Sequence, residues 1–321
     1  MTNYPHLGFV DYFLIDNKVL QITSGGINEI KNFAISGGIN GYGGAPDRQK
    51  AFQVNYQSDK TNYTADVAGN VFRGETGDCS AAFRKILTHT IDDEERRNSI
   101  TVAHYAGRAT LPNDDGKCLV SNLSLNFSAG QMVSYSAQFK STGQKTGAVP
   151  NVSGGSYVGE ERPEEISMTY GFEKTDTYPP YVINDNYSPL GWHGVTFDIE
   201  GIPSSVINSN NIISFNVNID NSTYVEHTFN GERDIAFRVS QGKMVVSGKL
   251  TYAISVGRDD GLAAYDPFKL TVNMADITLV FPHCFVKPDP VVNSGANAFI
   301  TRSATLNMFA GDNYEASVYE A

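Results

Sequence analysis

The sequence predicts a mainly β protein, and three observations carry that prediction. Asn, Ser, Thr and Gly dominate a chain of which only 18% is charged, a mixture that suits short strands and tight turns better than long helices. Apolar residues alternate with polar ones, period two, from end to end. Only one stretch has clear helical spacing. With 321 residues, 40% of them hydrophobic, the chain can bury one large β core or two ordinary ones.

Strand-forming runs open the chain, from Val19 to Asn40 and from Phe52 to Tyr63. The helix follows. Cys79, Ala82, Phe83, Ile86, Leu87 and Ile91 share one face of a 3.6-residue period, and Asp78 stands where an N-cap belongs. Leu123, Leu125 and Phe127, then Val133, Tyr135, Ala137 and Phe139, alternate with polar residues on either side of a short Gly-containing connection. That pattern predicts a hairpin. The same alternation continues through Val195, Phe197 and Ile199; Ile213 to Ile219; Ile235 to Val239; Met244 and Val246; Leu250 to Val256; Ile277 to Phe281; and Leu306 and Met308. A shorter helical turn is expected at Leu262–Tyr265.

A Gly-, Ser-, Thr- and Pro-rich stretch, Ser141–Pro163, divides the chain into 1–150, which carries the helix near 78–92, and 151–321. Each part offers an early strand pair, a middle hairpin and a late strand pair, so two tandem copies of one unit are expected. The net charge of −11 is unevenly spread. Residues 1–160 hold 14 Lys/Arg against 15 Asp/Glu, and residues 161–321 hold 10 against 20. Such acidity argues against a sequence-reading nucleic-acid binder.

Cys79, Cys118 and Cys284 form no CxxC pair, and the opening residues carry no basic-then-apolar leader, so a reducing intracellular origin is expected. No run reaches the length of a membrane-spanning helix. The search for chemistry is negative. The six histidines form no close ligand pair, and no GxSxG elbow occurs. The glycines between Gly37 and Gly44 miss both nucleotide-loop spacings. The acidic runs Asp92–Glu95 and Asp114–Asp115 lack calcium-loop spacing. No enzyme activity, metal or cofactor is expected.

The segments CLVSNLSLNFSAGQMVSYSAQFKSTG (Cys118–Gly143) and RDIAFRVSQGKMVVSGKLTYAISV (Arg233–Val256) resemble the strand–turn–strand runs of bacteriophage tail tube (major tail) proteins. That resemblance implies a β-sandwich or barrel-like subunit with a flanking helix. Its subunits would close into stacked hexameric rings, or trimeric rings that mimic hexamers when each chain carries two tube-like units. It implies a virion tail protein made in the host cytoplasm, contacting other tail proteins, with DNA passing without sequence-specific binding. Within it, Asp198, Glu200 and Asp220 are candidate channel-lining acids that would repel phosphates over about 8 Å at physiological salt; an outer solvated sheet face is the other reading of the same residues. Two further readings stay open. One is a β-sandwich module binding carbohydrate or a host surface through Tyr178, Tyr181, Tyr187 and Trp192. The other is a hydrolase using Asp198 and Glu200.

Overall fold

The computed structural model describes residues 12–16, 18–30, 33–38, 52–57, 62–73, 78–105, 117–141, 189–226, 238–254, 261–287, 291–293, 300–309 and 319–320. The expected linker beyond Ser141, the aromatics Tyr178, Tyr181 and Tyr187, the acids Asp114 and Asp115, residues Ile235, Phe237 and Val256, and the capping side chain of Asp78 lie outside that description.

The first half runs β1 (Tyr12–Ile15), β2 (Lys18–Gln21), β3 (Ser24–Ile30), β4 (Phe33–Gly38), β5 (Phe52–Gln57), β6 (Asn62–Asn70), α1 (Asp78–Ile91), β7 (Ile100–Tyr105), β8 (Lys117–Ser128) and β9 (Ser134–Ser141). The second half runs β10 (Val195–Glu200), β11 (Ile212–Asp220), β12 (Thr223–Glu226), β13 (Arg238–Gln241), β14 (Val245–Ala253), β15 (Phe268–Met274), β16 (Ile277–Val286), β17 (Val291–Asn293), β18 (Thr301–Phe309) and β19 (Tyr319–Glu320). A 3-10 turn at Leu262–Tyr265 meets the expectation of a short helical turn.

The alternating runs become strands because every second side chain finds a core. Along β9, β14 and β18 burial alternates as the sequence does. The expected hairpin is β8 paired antiparallel with β9, turning at Gly130, whose φ of +80° favours a residue without a Cβ. Met244 precedes β14, and Val246, Leu250 and Tyr252 lie along it, with Gly248 continuing the alternation without a side chain. A Cβ there would lie 2.9 Å from the Asn216 carbonyl oxygen.

Pairing repeats between the halves. In the first, β1 pairs β7, β7 pairs β8, β8 pairs β9, β9 pairs β6 and β6 pairs β3. In the second, β10 pairs β15, β15 pairs β16, β16 pairs β18, β18 pairs β14 and β14 pairs β11. Each half also carries a small hairpin, β4–β5 or β12–β13, between the first two of its central strands. β8 joins the halves by pairing β11 from Asn122 opposite Asp220 to Ser128 opposite Ser214. The result is an antiparallel run β3-β6-β9-β8-β11-β14-β18-β17. One register row across it, Val67, Ala137, Leu123, Ile219, Val246 and Met308, is buried throughout.

A second layer covers the apolar side of this run. Phe197 of β10 meets Phe127 of β8 and Phe215 of β11 edge-on, at ring-centroid distances of 6.0 and 5.9 Å, and Phe281 of β16 meets Phe215 at 5.9 Å. β8 changes layer across a register shift at Ser121, whose hydroxyl donates to the Gln138 carbonyl (3.0 Å). Strands that turn a sandwich corner commonly do so at a bulge. In the first half α1 completes the cover, with Phe83 5.1 Å from Tyr135 and Cys79, Ala82, Ile86 and Leu87 buried as their spacing predicts.

Phe215 stands at the meeting point of both layers and both halves. Phe215→Ala is expected to destabilise the fold by about 3–5 kcal/mol, read as a lower denaturation midpoint with unchanged slope; a loss under about 1 kcal/mol would disprove its central position.

Candidate functional site

Neutral polar side chains predominate among the described residues on the outward face of the eight-strand run. Ser124 donates from Oγ to Asn218 Oδ1 (2.6 Å), and Asn216 donates from Nδ2 to Asn126 Oδ1, both across the β8–β11 joint. Thr251 and Ser303 hydroxyls meet at 2.9 Å between β14 and β18. Gln138 and Asn28 both donate to the Asp66 carboxylate, at 2.9 and 3.1 Å. An open groove of about 610 Å³ lies on this face, lined by residues of β3, β6, β9, β8, β11 and β12, among them Asp66, Gln138, Asn122, Asp220 and Tyr224. Lys140 reaches across that end to the Thr223 carbonyl (2.9 Å).

The three acids singled out in the sequence do not come together. Asp220 ends β11 on this polar face, two residues from Asn218. Asp198 and Glu200 lie on β10, in the covering layer. Since Phe197 points from β10 into the core, its neighbours Asp198 and Glu200 point the opposite way, to the outer surface of the sandwich. Asp220 and the β10 pair therefore occupy opposite outer faces and cannot share one wall. Glu200 is instead paired with Lys269 at 2.6 Å. Alternation in the sequence told inward from outward on each strand, but it carries no information about which layer a strand belongs to.

Among the described residues of the polar face, Asp66 and Asp220 are matched by Lys140 and Lys249.

Other residues noted in the sequence have structural work. His89 is buried and donates from Nδ1 to the Glu95 carbonyl (2.9 Å), tying the end of α1 to the 3-10 turn after it. Asp92 Oδ1 accepts the backbone N–H groups of Glu94 and Glu95, both at 2.9 Å, and these bonds hold its carboxyl below the usual range. Arg84 of α1 pairs with Asp276 in the β15–β16 turn, a second tie between the halves. Burial pushes the Cys284 thiol up to about 12 and raises Cys118 further. Among the described residues, no three His, Cys, Asp or Glu side chains gather as a metal site would require, and no helix is long and apolar enough to cross a membrane.

The site is thus a curved, self-bonded polar sheet face bounded by two strands, β3 and β17, that each have one neighbour among the described strands. The sequence missed the edges because pairing partners are not written locally; the repeated strand pattern was the only signal that pointed to them.

Comparison with known proteins places the chain in a family. No curated protein sequence matches it. Among solved structures, the SPP1 tail tube, a hybrid of solid-state NMR and cryo-EM, is similar at 12% identity, covering 37% of this chain and 76% of that one with a TM-score of 0.27. A family model described as phage tail tube protein matches residues 32–308, spanning both halves. A match of that extent shows that the chain belongs to the phage tail tube protein family, structural components of the virion tail.

Proposed function

We propose that this chain is a two-unit tube subunit, with units in 1–150 and 151–321, whose copies close into threefold rings that stack into a DNA-conducting tail tube. The observation that carries the reading is the repeated set of strand pairings, joined in one sheet by β8 and β11. A sheet with two open ends exposes unpaired backbone donors and acceptors, and closure on further copies removes them. Three chains then supply six alike units, a trimer in the place of a hexamer. The subunit is made in the host cytoplasm and meets other tail proteins at the tube's ends.

The curved polar face is the channel wall in this reading, with Asp220 on it and Asp198 and Glu200 outside the tube. DNA passes because the wall offers phosphates little to hold. Its amides and hydroxyls are engaged with one another across strands, as Ser124 is with Asn218. Among its described residues two lysines are offset by two aspartates, which limits the attraction that cation clusters exert on phosphate.

Cryo-EM of purified assemblies tests the stoichiometry. Threefold rings with six similar lobes are expected. Sixfold rings of whole chains would sink the two-unit reading, and a strict monomer at high concentration would sink ring formation. The wall is tested separately by Asn126→Lys combined with Asn216→Lys. Tubes of this variant are expected to assemble and to retain duplex DNA at low salt, releasing it as salt rises, whereas unmodified tubes retain none; equal retention by both would place another face in the channel.

A further inference from the structure

Two exposed apolar side chains have buried counterparts in the other half. The repeats can be laid on each other through the first residues of paired strands, Asn62 of β6 on Val245 of β14 and Ser134 of β9 on Thr301 of β18. The registers then coincide without adjustment. The Thr64–Lys140 pair falls on Ser247–Asn307, and β3 and β11 end together at Ile30 and Asp220. Cys118, opposite Ile100 at the start of β7, falls on Cys284, opposite Phe268 at the start of β15. Ser124–Asn126 of β8, opposite Ser136–Ser134, falls on Val291–Asn293 of β17, opposite Ser303–Thr301. β17 is thus the second half's version of the part of β8 that holds β11.

Leu125 and Val133 are 0% and 1% exposed, whereas their counterparts Val292 and Ile300 are 50% and 51% exposed. The difference has one cause. Leu125 sits opposite Val217 in the β8–β11 joint, and Val133 is bonded through its N–H to the Leu190 carbonyl (2.8 Å), from the segment leading into the second half. The second half has the same apolar positions, and no described strand pairs β17 on its far side. At the other end of the sheet, β3, the counterpart of β11, pairs only β6 among the described strands.

We infer that β17 of one chain docks antiparallel on β3 of a second copy, in the register of the internal β8–β11 joint. This rests on the ring reading above and supplies its contact. Asn216, Val217 and Asn218 face Asn126, Leu125 and Ser124. The equivalent positions set Gly26, Ile27 and Asn28 of one copy opposite Asn293, Val292 and Val291 of the next. Strand direction agrees, because β3 and β11 run alike in the repeat, as do β17 and the matching part of β8. A Cβ at Gly26 meets nothing within 4 Å, so a side chain can be introduced at that position.

Disulfide trapping tests the register. The pairs Gly26→Cys with Asn293→Cys, and Asn28→Cys with Val291→Cys, correspond to internal pairs whose side chains touch, Asn216 with Asn126 and Asn218 with Ser124. Facing strand positions of this kind have Cβ atoms about 4.5–5.5 Å apart, close enough for an S–S bond to form with little movement. The native thiols are buried and do not compete. After mild oxidation of assembled protein, both pairs are expected to give a covalent ladder ending at the trimer. Gly26→Cys with Val291→Cys, two residues out of register, is expected to give almost none. Rings that form without either in-register link, or with equal linking by the out-of-register pair, overturn the joint and leave the ring reading standing. Absence of rings in the unmodified chain overturns both. Val292→Lys gives a readout without new thiols: a monomer as stable as the parent chain and at least tenfold less assembly by sedimentation. Normal assembly by that variant would overturn the joint.

Discussion

Seven consecutive antiparallel pairs between β8 and β11 hold the rest of the structure together. They turn two similar bundles of strands into one sheet, and they set the face, direction and register of every strand beyond them. Because side chains alternate strictly on a strand, a slip of one residue at this joint would turn Phe215, Val217 and Ile219 outward. The register is fixed from both sides. Those three side chains are fully buried, while Asn216 and Asn218 find partners on the polar face. The ladder is extended at one end by the Ala129 N–H, which donates to Ile213 (2.9 Å), and at the other by the Asn221 N–H, which donates to Ser121 (3.0 Å). Neither half can move against the other without breaking backbone bonds in mid-sheet.

The two halves share one strand-pairing pattern and differ in its cover. The first half places the 14-residue α1 after β6, whereas the second has a four-residue 3-10 turn after β14. The long helix buries one apolar stripe on β1, β2 and β8, and its Arg84 reaches Asp276 in the other half. That contact acts across the joint rather than within a unit, so the helix serves the whole chain. A short turn is enough in the second half, where Phe197, Phe215 and Phe281 fill the space between layers with aromatic area.

Much of this could be read from residue types in order. The helix was legible because six apolar residues at 3.6-residue spacing have one physical solution. The β8–β9 hairpin was legible because Leu123 to Phe139 alternate around a glycine turn. The repeat was visible as two similar rhythms of strands. What could not be read was long-range. Asp198 and Asp220 stand in similar alternating runs, yet one is on the covering layer and the other on the polar wall. Only the packing of Phe197 against Phe215 separates them. Nor does the sequence mark β17 as an edge, since Val291-Val292 reads the same whether a strand lies beside it or not.

The number of strands per unit limits how such a chain can close. Each half contributes four strands to the continuous run, β3, β6, β9 and β8, then β11, β14, β18 and β17. With four, the first strand of every unit points the same way, so the contact between units is antiparallel at each repetition. With three or five, units pointing the same way would meet through parallel strands at every boundary, and the antiparallel β8–β11 joint could not be used. An even count therefore keeps every boundary antiparallel, as it is in the β8–β11 joint. The chain needs to encode it once, at β8 and β11, and to keep the same apolar positions at its two ends. In the proposed ring the half-exposed Val292 becomes a core residue, covered by a strand of the next copy.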